Sequence, residues 1–422
     1  MTNPETLEPT RPATHRYSWE LLVLLWLAFF LNQADRQIFS VVLPLIRQEL
    51  GLTDAELGLI ASALVWTYGL LVPVAGFLGD RLSRRNILGF CLLFWSVATL
   101  FTGLCSTLMQ FILLRGLATG GGEAFYAPSA NAMLGEAYPE NRSFVLSIHQ
   151  TAIYFGIILS GLITGYIGEH YGWRNAFYLF GSLGIGLALV FFSRIPKDVP
   201  RVRPAGAASV RAEILETARV VVRKPTVVLL TLGFGCMVFV NVGYLTWMPS
   251  FLIDKFGMSL TEAGFAALFY HHVGAFVGVL SGARIADRFA RRNPRSRLVV
   301  QGLGLLLGAP FIYWMSQSAT QFLTCAALFG FGIFRGWYDS NIVASLYEVV
   351  SPTIRSSAYG LMLACAFLIG ASAPYWLGRL KPTLGLTTGL ASLSAVYVLG
   401  GLLILGAAFF FFKKDSLALI NE

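Results

Sequence analysis

Charged side chains are scarce in this sequence of 422 residues, since only 13% are Asp, Glu, Lys or Arg. Soluble domains carry about 25% charged residues. Hydrophobic residues make up 56% of the chain, and a soluble protein of that composition would expose large apolar patches and aggregate. The shortage of charge therefore excludes a soluble fold and indicates a protein embedded in a lipid bilayer.

Cysteine and histidine are also rare, with five of each. No CxxC, Cys–His or HExxH spacing occurs, and the adjacent His271 and His272 cannot both bind one metal ion well. We therefore expect no metal, no cofactor and no disulfide framework. No nucleophile–base pair stands out, so the sequence makes no case for an enzyme. All of the cysteines fall in apolar segments and are expected to be small core residues: Cys91, Cys105, Cys236, Cys325 and Cys365.

Long apolar runs fill most of the chain. About twelve segments of roughly 20 mainly apolar residues follow one another with short connections. This pattern predicts an all-α membrane protein with twelve transmembrane helices in two six-helix bundles, and it leaves no room for a large soluble domain. The predicted organisation is a disordered cytoplasmic tail at 1–17, a first bundle at 18–194, a partly helical cytoplasmic linker at 195–225, a second bundle at 226–413 and a cytoplasmic tail at 414–422.

Basic residues give the chain a net charge of +9, but their placement does not indicate a nucleic-acid partner. They cluster in the loops after the second, sixth, eighth and twelfth segments, whereas the opposite loops hold few. This is the positive-inside pattern of membrane proteins. It predicts a multi-pass protein of the inner (plasma) membrane with both termini in the cytoplasm.

Two stretches about half a chain apart resemble each other. Residues 76–85 read GFLGDRLSRR, and residues 282–292 read GARIADRFARR. Each ends an apolar segment and opens a basic loop. Repetition at this scale is typical of secondary transporters, in which two similar halves rock around one central site. The residues of this doubled motif are Gly76, Asp80, Arg81, Arg84, Arg85, Gly282, Asp287, Arg288 and Arg291.

Three acids and three arginines fall inside predicted membrane segments, where charge is costly and usually functional. They are Asp35, Arg36, Arg115, Glu123, Arg335 and Asp339. An arginine offers a planar fork to a carboxylate, and a buried carboxyl group can exchange a proton when its surroundings change. These are the parts of a proton-coupled anion symporter. The alternative is a set of static ion pairs that hold helices together.

The spacing of these residues sets which of them can meet. Arg335 and Asp339 are four apart, so they can pair on one helix face. Arg115 and Glu123 are eight residues apart, which places them about 80° apart around a helix and about 12 Å apart along its axis. They can therefore line one cavity at two depths. The three glycines at 120–122 weaken the helix beside Glu123, which suggests a point of bending.

Adjacent residues on a helix diverge by about 100°, so one of Asp35 and Arg36 can face the cavity while the other reaches a neighbouring helix.

Polar and aromatic side chains in the same segments could complete a substrate site. They would donate or accept hydrogen bonds to a polar ligand. Packing within the helix bundle is the alternative for each of them. The residues assigned to this role are Tyr126, His149, Gln150, Tyr154 and Asn241.

Along its whole length the chain resembles the major facilitator superfamily, on its twelve segments, its basic central loop and the doubled motif. In that superfamily the motif supports gating at the cytoplasmic side. The resemblance implies that Asp80 forms a charge relay with Arg84 or Arg85 that holds the outward-facing state.

Two further stretches narrow the resemblance. Residues 32–36 (NQADR), followed by 43–46 (LPLI), resemble the first helix of the anion:cation symporters and of the Spinster-like transporters. Residues 115–128 resemble the fourth helix of both families. This implies proton-coupled movement of an organic anion such as a sugar acid, with Glu123 and Asp35 as proton carriers and Arg115 near the anion.

We therefore predict a monomeric secondary active transporter that carries a small organic anion together with protons by alternating access. The alternative is a Spinster-like transporter of a lipid or amphiphile, whose site would open to the bilayer through an apolar groove. A third alternative, a sensor with a transporter fold, would need a sizeable soluble domain or an extended tail. Proton coupling is assigned to Asp35, Glu123 and Asp339, and anion binding to Arg36, Arg115 and Arg335.

Overall fold

The computed structural model describes residues 15–79, 82–196 and 210–420, which form helices and short connections without a strand. The first half contains six long helical segments. They are α1 (His15–Leu50), α2 (Asp54–Gly79), α3 (Arg84–Thr102), α4 (the consecutive pieces Leu108–Phe111, Ile112–Thr119, Gly120–Ala124 and Tyr126–Ala137), α5 (Arg142–Tyr171) and α6 (Trp173–Arg194).

The second half follows a linker helix, Val210–Arg223. Its first four segments are α7 (Pro225–Phe256), α8 (Leu260–Ala290), α9 (Ser296–Gln317) and α10 (Gln321–Asp339, then Ile342–Tyr347). The last two are α11 and α12, which share one helical run, Ala373–Gly406, divided at Gly385 by a backbone φ of 71°. Before that run α11 contains Pro352–Ile354 and Arg355–Gly370, and after it α12 continues through Ala407–Phe411 and Phe412–Ile420.

The ends of the chain and the linker differ in detail from the predicted boundaries. Helix α1 begins at His15, so the last residues of the predicted N-terminal tail are helical, and residues 1–14 lie outside the described part. Of the predicted linker, 197–209 lies outside the described part. The predicted C-terminal tail is helical as far as Ile420, and 421–422 are not described.

The prediction of twelve membrane helices in two bundles is confirmed. Eight helical stretches of the described chain are long and apolar enough to cross a bilayer, and the last of them, Ser357–Ser416, covers most of both α11 and α12. The remaining three helices, α1, α4 and α10, carry the six charged residues at membrane depth. The charged side chains lower the hydropathy of these three helices.

Helix α4 is irregular where its charges lie. Its piece Ile112–Thr119 is π-helical, and a short break follows at Phe125. A Cβ atom on Gly120 would lie 2.6 Å from the backbone oxygen of Leu64, so the glycine allows α4 to pack closely on α2. Because a π-helical turn is wider than an α-turn, it changes the direction in which the side chains after it point.

The two halves meet through two symmetry-related helix pairs, α5 with α8 and α2 with α11. Under the repeat α5 is equivalent to α11 and α8 to α2, so one pair corresponds to the other, as expected for a repeated bundle. In the first pair a Cβ atom on Gly165 would lie 2.7 Å from the Cα atom of Thr261. In the second pair Trp66 Nε1 donates a hydrogen bond to the carbonyl oxygen of Leu368 at 3.1 Å.

The molecule has two chemically different ends. The basic end is where α2 and α8 finish and α3 and α9 begin. The opposite end is where α2 and α8 begin, and there the halves are joined by hydrogen bonds and ion pairs. Glu169 Oε2 on α5 accepts a hydrogen bond of 3.0 Å from the backbone N–H of Thr261 on α8.

An ion cluster reinforces this closure of the opposite end. Lys381 Nζ on α11 lies 3.3 Å from Asp54 Oδ1 on α2 and 3.3 Å from Asp254 Oδ2 on α7. Asp54 is buried, and its other oxygen lies 3.4 Å from Arg47 Nη2. Lys381 therefore supplies a charge that links the first half to the second.

We expect Lys381→Met to favour separation of the halves at the opposite end, because Asp54 would keep only the partly exposed Arg47 as a counter-charge. Removal of one partner from a buried ion pair is strongly destabilising. With Arg47 retained, an effect of about 1.4 kcal/mol, or tenfold in the opening equilibrium, is expected. Pulsed electron paramagnetic resonance between spin labels at Tyr171 and Thr383 would measure the longer distances.

The matched control is Lys381→Arg, which keeps the positive charge and should keep the wild-type distance distribution. An unchanged distribution in Lys381→Met would show that the ion cluster does not hold this end closed.

Candidate functional site

A cavity of about 550 Å³ lies between the two halves. Its walls come from α1, α2, α4 and α5 of the first half and from α7, α8, α10 and α11 of the second, which are the same four positions in each bundle. The closure at the opposite end lies beyond it. Its polar and charged lining residues are Gln33, Arg36, Gln37, Ser40, Tyr68, Arg115, Gln150, Asn241, Thr246, His272, Arg335, Asp339 and Tyr359.

One face of α1 contributes a polar stripe to the cavity. Gln33, Arg36, Gln37 and Ser40 recur every three or four residues, so they follow one side of the helix. Sequence reasoning assigned only Arg36 from this stripe. The helical spacing of the polar residues was the signal that could have identified the other three.

Arg36 connects the cavity to a buried acid on α4. Its Nε atom lies 2.7 Å from Glu123 Oε2, and the side chain of Glu123 is fully buried while that of Arg36 is 19% exposed. In the described chain Glu123 Oε1 has no hydrogen-bond partner. Glu123 therefore lies behind Arg36 and outside the cavity lining. The guanidinium carbon of Arg36 also lies 4.1 Å from the centre of the Tyr68 ring.

Asp35, next to Arg36 in sequence, points away into the first bundle. Its Oδ1 atom lies 3.2 Å from Arg115 Nη1, and Arg115 Nη2 donates a 2.6 Å hydrogen bond to the backbone oxygen of Asp35. The hydroxyl of Thr99 on α3 donates to Asp35 Oδ2. Both charged side chains are almost fully buried, at 1% exposure for Arg115 and 4% for Asp35. Together with Thr99 this pair joins α1, α3 and α4, and it exposes little surface to the cavity.

The second half presents a more open ion pair. Arg335 Nε and Asp339 Oδ2 on α10 lie 3.3 Å apart, with side chains 16% and 30% exposed. Arg335 Nη1 donates a 2.6 Å hydrogen bond to Asn241 Oδ1 on α7. It also lies 3.1 Å from His271 Nε2, which must be the acceptor because a guanidinium group only donates.

The structure places Tyr126 and His149 outside the cavity lining. The Tyr126 hydroxyl donates to the backbone oxygen of Leu25 and lies 3.1 Å from His149 Nε2. The His149 ring stacks on Phe29 with ring centres 4.7 Å apart. Both residues are buried among α1, α4 and α5, and these contacts are those of a packed bundle interior.

The other polar residues assigned from the sequence lie at or beside the cavity. Gln150 and Asn241 line it. Tyr154 lies one layer behind, with its ring edge-on to His272 at 6.5 Å. His272 faces the cavity, whereas His271 packs against Phe331 with ring centres 4.5 Å apart, so only one of the adjacent histidines is available to a ligand.

The first copy of the doubled motif lies at the basic end. Arg84 Nη1 lies 2.5 Å from Glu136 Oε1 of α4, and Arg85 donates 2.5 Å hydrogen bonds to the backbone oxygens of Phe192 and Ile195 at the end of α6. These contacts attach the start of α3 to its own bundle. Gly76 lies within α2, and Asp80 and Arg81 lie outside the described residues, so the implied charge relay stays a prediction.

The second copy repeats this arrangement. Arg297, the second residue of α9, has Nη2 3.1 Å from Asp287 Oδ1 and Nη1 3.6 Å from Glu348 Oε1 beyond α10. A Cβ atom on Gly282 would lie 2.6 Å from the Cα atom of Trp337, so the glycine permits close packing of α8 on α10. The basic residues within this copy are all exposed: Arg284, Arg288, Arg291 and Arg292.

We expect Asp35→Asn to destabilise the protein, because it leaves the buried Arg115 without a counter-charge. The cost of breaking a buried pair is about 3–5 kcal/mol. Thermal unfolding in detergent would measure it, together with Arg115→Gln and the double variant. The double variant should lose less stability than the sum of the two single variants.

The matched control is Asp339→Asn, which changes the partly exposed pair of the second half and should cost less. Strict additivity of Asp35→Asn and Arg115→Gln would contradict the structural role of their ion pair.

Comparison with known proteins agrees with this architecture. The family model described as the Major Facilitator Superfamily matches residues 25–374. Protein spinster homolog 1 of Homo sapiens is 30% identical over 423 residues, which cover 90% of this chain and 78% of the relative. The D-galactonate transporter of Escherichia coli is 27% identical over 421 residues, which cover 93% of this chain and 95% of the relative.

Solved structures show the same fold. A bacterial homologue of the human lysosomal transporter Spinster, in an inward-facing and unoccupied conformation, superimposes with a TM-score of 0.78 at 22% identity, covering 97% of this chain and 99% of the other. A nucleoside transporter gives a TM-score of 0.74 at 14% identity, covering 94% and 99%. These relatives are membrane transporters and not enzymes. The chain is a multi-pass membrane protein and belongs to the Major Facilitator Superfamily.

Proposed function

We propose that this protein is a proton-coupled symporter of a small organic anion, a sugar acid or another carboxylate. The proposal rests on the arrangement around Arg36. This arginine reaches the cavity on one side and is held by the buried Glu123 on the other. An anion in the cavity and the carboxylate of Glu123 would therefore compete for the same guanidinium group.

That competition supplies a coupling mechanism. A buried carboxylate is stable as an ion only while it is paired, and a lost partner leaves it with the cost of desolvation. When the anion takes Arg36, Glu123 accepts a proton. Anion and proton then occupy the protein together, and the two halves reorient around the loaded site. Arg335 provides a second cationic group across the cavity.

Hydroxyl groups on the ligand fit the rest of the cavity. Gln33, Gln37, Gln150, Asn241 and Thr246 offer amide and hydroxyl groups that can both donate and accept hydrogen bonds. A small number of such groups placed among apolar residues fixes the orientation of a ligand. A sugar acid combines the carboxylate that an arginine recognises with several hydroxyls, and one relative is named for D-galactonate.

The positive-inside pattern supports an orientation with the basic end and both termini in the cytoplasm, in the inner membrane. In that orientation the closure at the opposite end separates the cavity from the outside. A monomer suffices for this cycle because the cavity is formed within one chain.

The first test is substrate-induced proton movement. Purified protein in proteoliposomes containing a pH-sensitive dye would receive D-galactonate, D-gluconate, D-glucuronate, lactate and succinate one at a time. We expect at least one sugar acid to acidify the lumen as it enters with protons. Silence across the whole panel would contradict the proposal.

We expect Glu123→Gln to abolish proton-driven accumulation of the active anion while counterflow of labelled anion continues. A glutamine keeps a hydrogen bond to Arg36 but cannot take up a proton in exchange. Accumulation under an imposed pH gradient and counterflow in its absence would measure the two activities separately.

The matched control is Glu136→Gln, which alters an acid paired with Arg84 at the basic end, away from the cavity. It should retain the coupling of transport to protons. Proton-driven accumulation that persists in Glu123→Gln would contradict the proposed proton role of Glu123.

A second candidate function is transport of an amphiphile, favoured by the apolar part of the cavity wall. Leu64, Phe234, Met237, Val238 and Phe367 are among the lining residues, and several relatives are named spinster homologues. A separate apolar groove on the first half shares no lining residue with the cavity. Stimulation by lysolipids in vesicles that give no response to sugar acids would favour this second candidate.

A further inference from the structure

Tyr68 on α2 contacts both the ion pair of the first half and a helix of the second. Its ring centre lies 4.1 Å from the guanidinium carbon of Arg36. On α11, the ring centre of Phe367 lies 5.5 Å from that of Tyr68. Phe367 in turn packs edge-on against Phe234 of α7 at 6.5 Å. Tyr68 is thus in contact with Arg36 and, through Phe367, with two helices of the other half.

The backbone of α2 packs closely against α11 beside Tyr68. A Cβ atom on the next residue, Gly69, would lie 2.8 Å from Phe367 Cβ, so α2 and α11 are in close contact at this level. Tyr68 and Phe367 both line the cavity. The tyrosine therefore lies where the interface between the halves borders the cavity.

An arginine over an aromatic ring is attracted by the negative face of the ring, and the attraction is stronger where water is excluded. Arg36 is therefore held by two groups, Glu123 and Tyr68, and an anion that displaces Glu123 leaves the ring contact as its remaining attachment. Other charged or titratable residues at the cavity or beside Arg36 are Asp35, Arg115, His272, Arg335, Asp339 and Tyr359.

We propose that Tyr68 is a positioning residue that couples the state of the Arg36–Glu123 pair to the α2–α11 interface. The inference rests on the proposed anion–proton symport. A shift of Arg36 between Glu123 and the anion changes its contact with Tyr68, and the packing of Tyr68 on Phe367 carries that change to the second half. Reorientation is thereby linked to the pairing of Glu123.

The test compares Tyr68→Leu with Tyr68→Phe in proteoliposomes. The anion used is the member of the five-anion panel that gives the largest response in the wild-type protein. Phenylalanine keeps the ring over Arg36, and leucine removes it. We expect Tyr68→Leu to lower proton-driven accumulation by about tenfold, as for a cation–π contact that is only partly exposed to water, while counterflow is retained. Tyr68→Phe should keep both activities.

Phe367→Leu removes the contact on the other side of Tyr68 and should reproduce the loss of coupling. The matched control is Trp66→Phe, which removes a hydrogen bond at the same α2–α11 interface without contacting Arg36. It should keep the wild-type accumulation ratio. A loss of coupling in Trp66→Phe equal to that in Tyr68→Leu would overturn the specific role of Tyr68.

The outcomes separate this inference from the proposed function. A wild-type protein that shows no anion-induced pH change refutes symport, and the role of Tyr68 with it. A coupled wild-type protein with normal accumulation in Tyr68→Leu refutes the role of Tyr68 alone. Loss of counterflow together with accumulation in both Tyr68→Leu and Phe367→Leu indicates a structural role and also overturns the inference.

Discussion

The cost of placing charge at membrane depth governs the arrangement of this molecule. A charged side chain in the hydrocarbon region needs a partner or access to water. Each of the three arginines at that depth lies within 3.3 Å of a carboxylate oxygen. The pairs differ in burial: Asp35 and Arg115 are both almost fully buried, whereas Arg36 and Arg335 are more exposed to the cavity. The same requirement explains why the charged helices α1, α4 and α10 all border the space between the halves.

The repeat makes the contacts between the two halves equivalent in pairs. The contacts between α5 and α8 and between α2 and α11 are equivalent under the repeat, so closing one end brings two matched helix pairs together. Glycines such as Gly165 permit the close backbone approach at this end. Lys381 adds a charge that crosses from the second half to the first. Such contacts are discrete and can be broken as a set, as rigid-body reorientation of two halves requires.

Much of this fold was predictable because membrane helices leave a strong signal. Apolar segments of roughly 20 residues predicted the twelve spans, and the four-residue spacing of Arg335 and Asp339 predicted their ion pair. The partners of Asp35 and Arg36 were not predictable, since they depend on which faces of α1 and α4 meet across 80 or more residues of sequence. The π-helical piece before Gly120 also changes the direction of Glu123 in a way that an ideal helical projection misses. Lys381 and the role proposed for Tyr68 were missed because they depend on contacts between helices far apart in sequence.

The surroundings of the three acids argue for Glu123 as the proton carrier of the proposed cycle. Asp35 receives a hydroxyl from Thr99 and a guanidinium from Arg115, two contacts that favour its charged form. Asp339 is 30% exposed, so water from the cavity can stabilise its charge. Glu123 is fully buried and relies on Arg36, with one oxygen lacking a hydrogen-bond partner in the described chain. Its charge therefore depends on a single partner that also faces the cavity. An anion that takes Arg36 would therefore remove the only ion-pair partner that Glu123 has in the described chain, whereas Asp339 would still be in contact with the cavity water after losing Arg335.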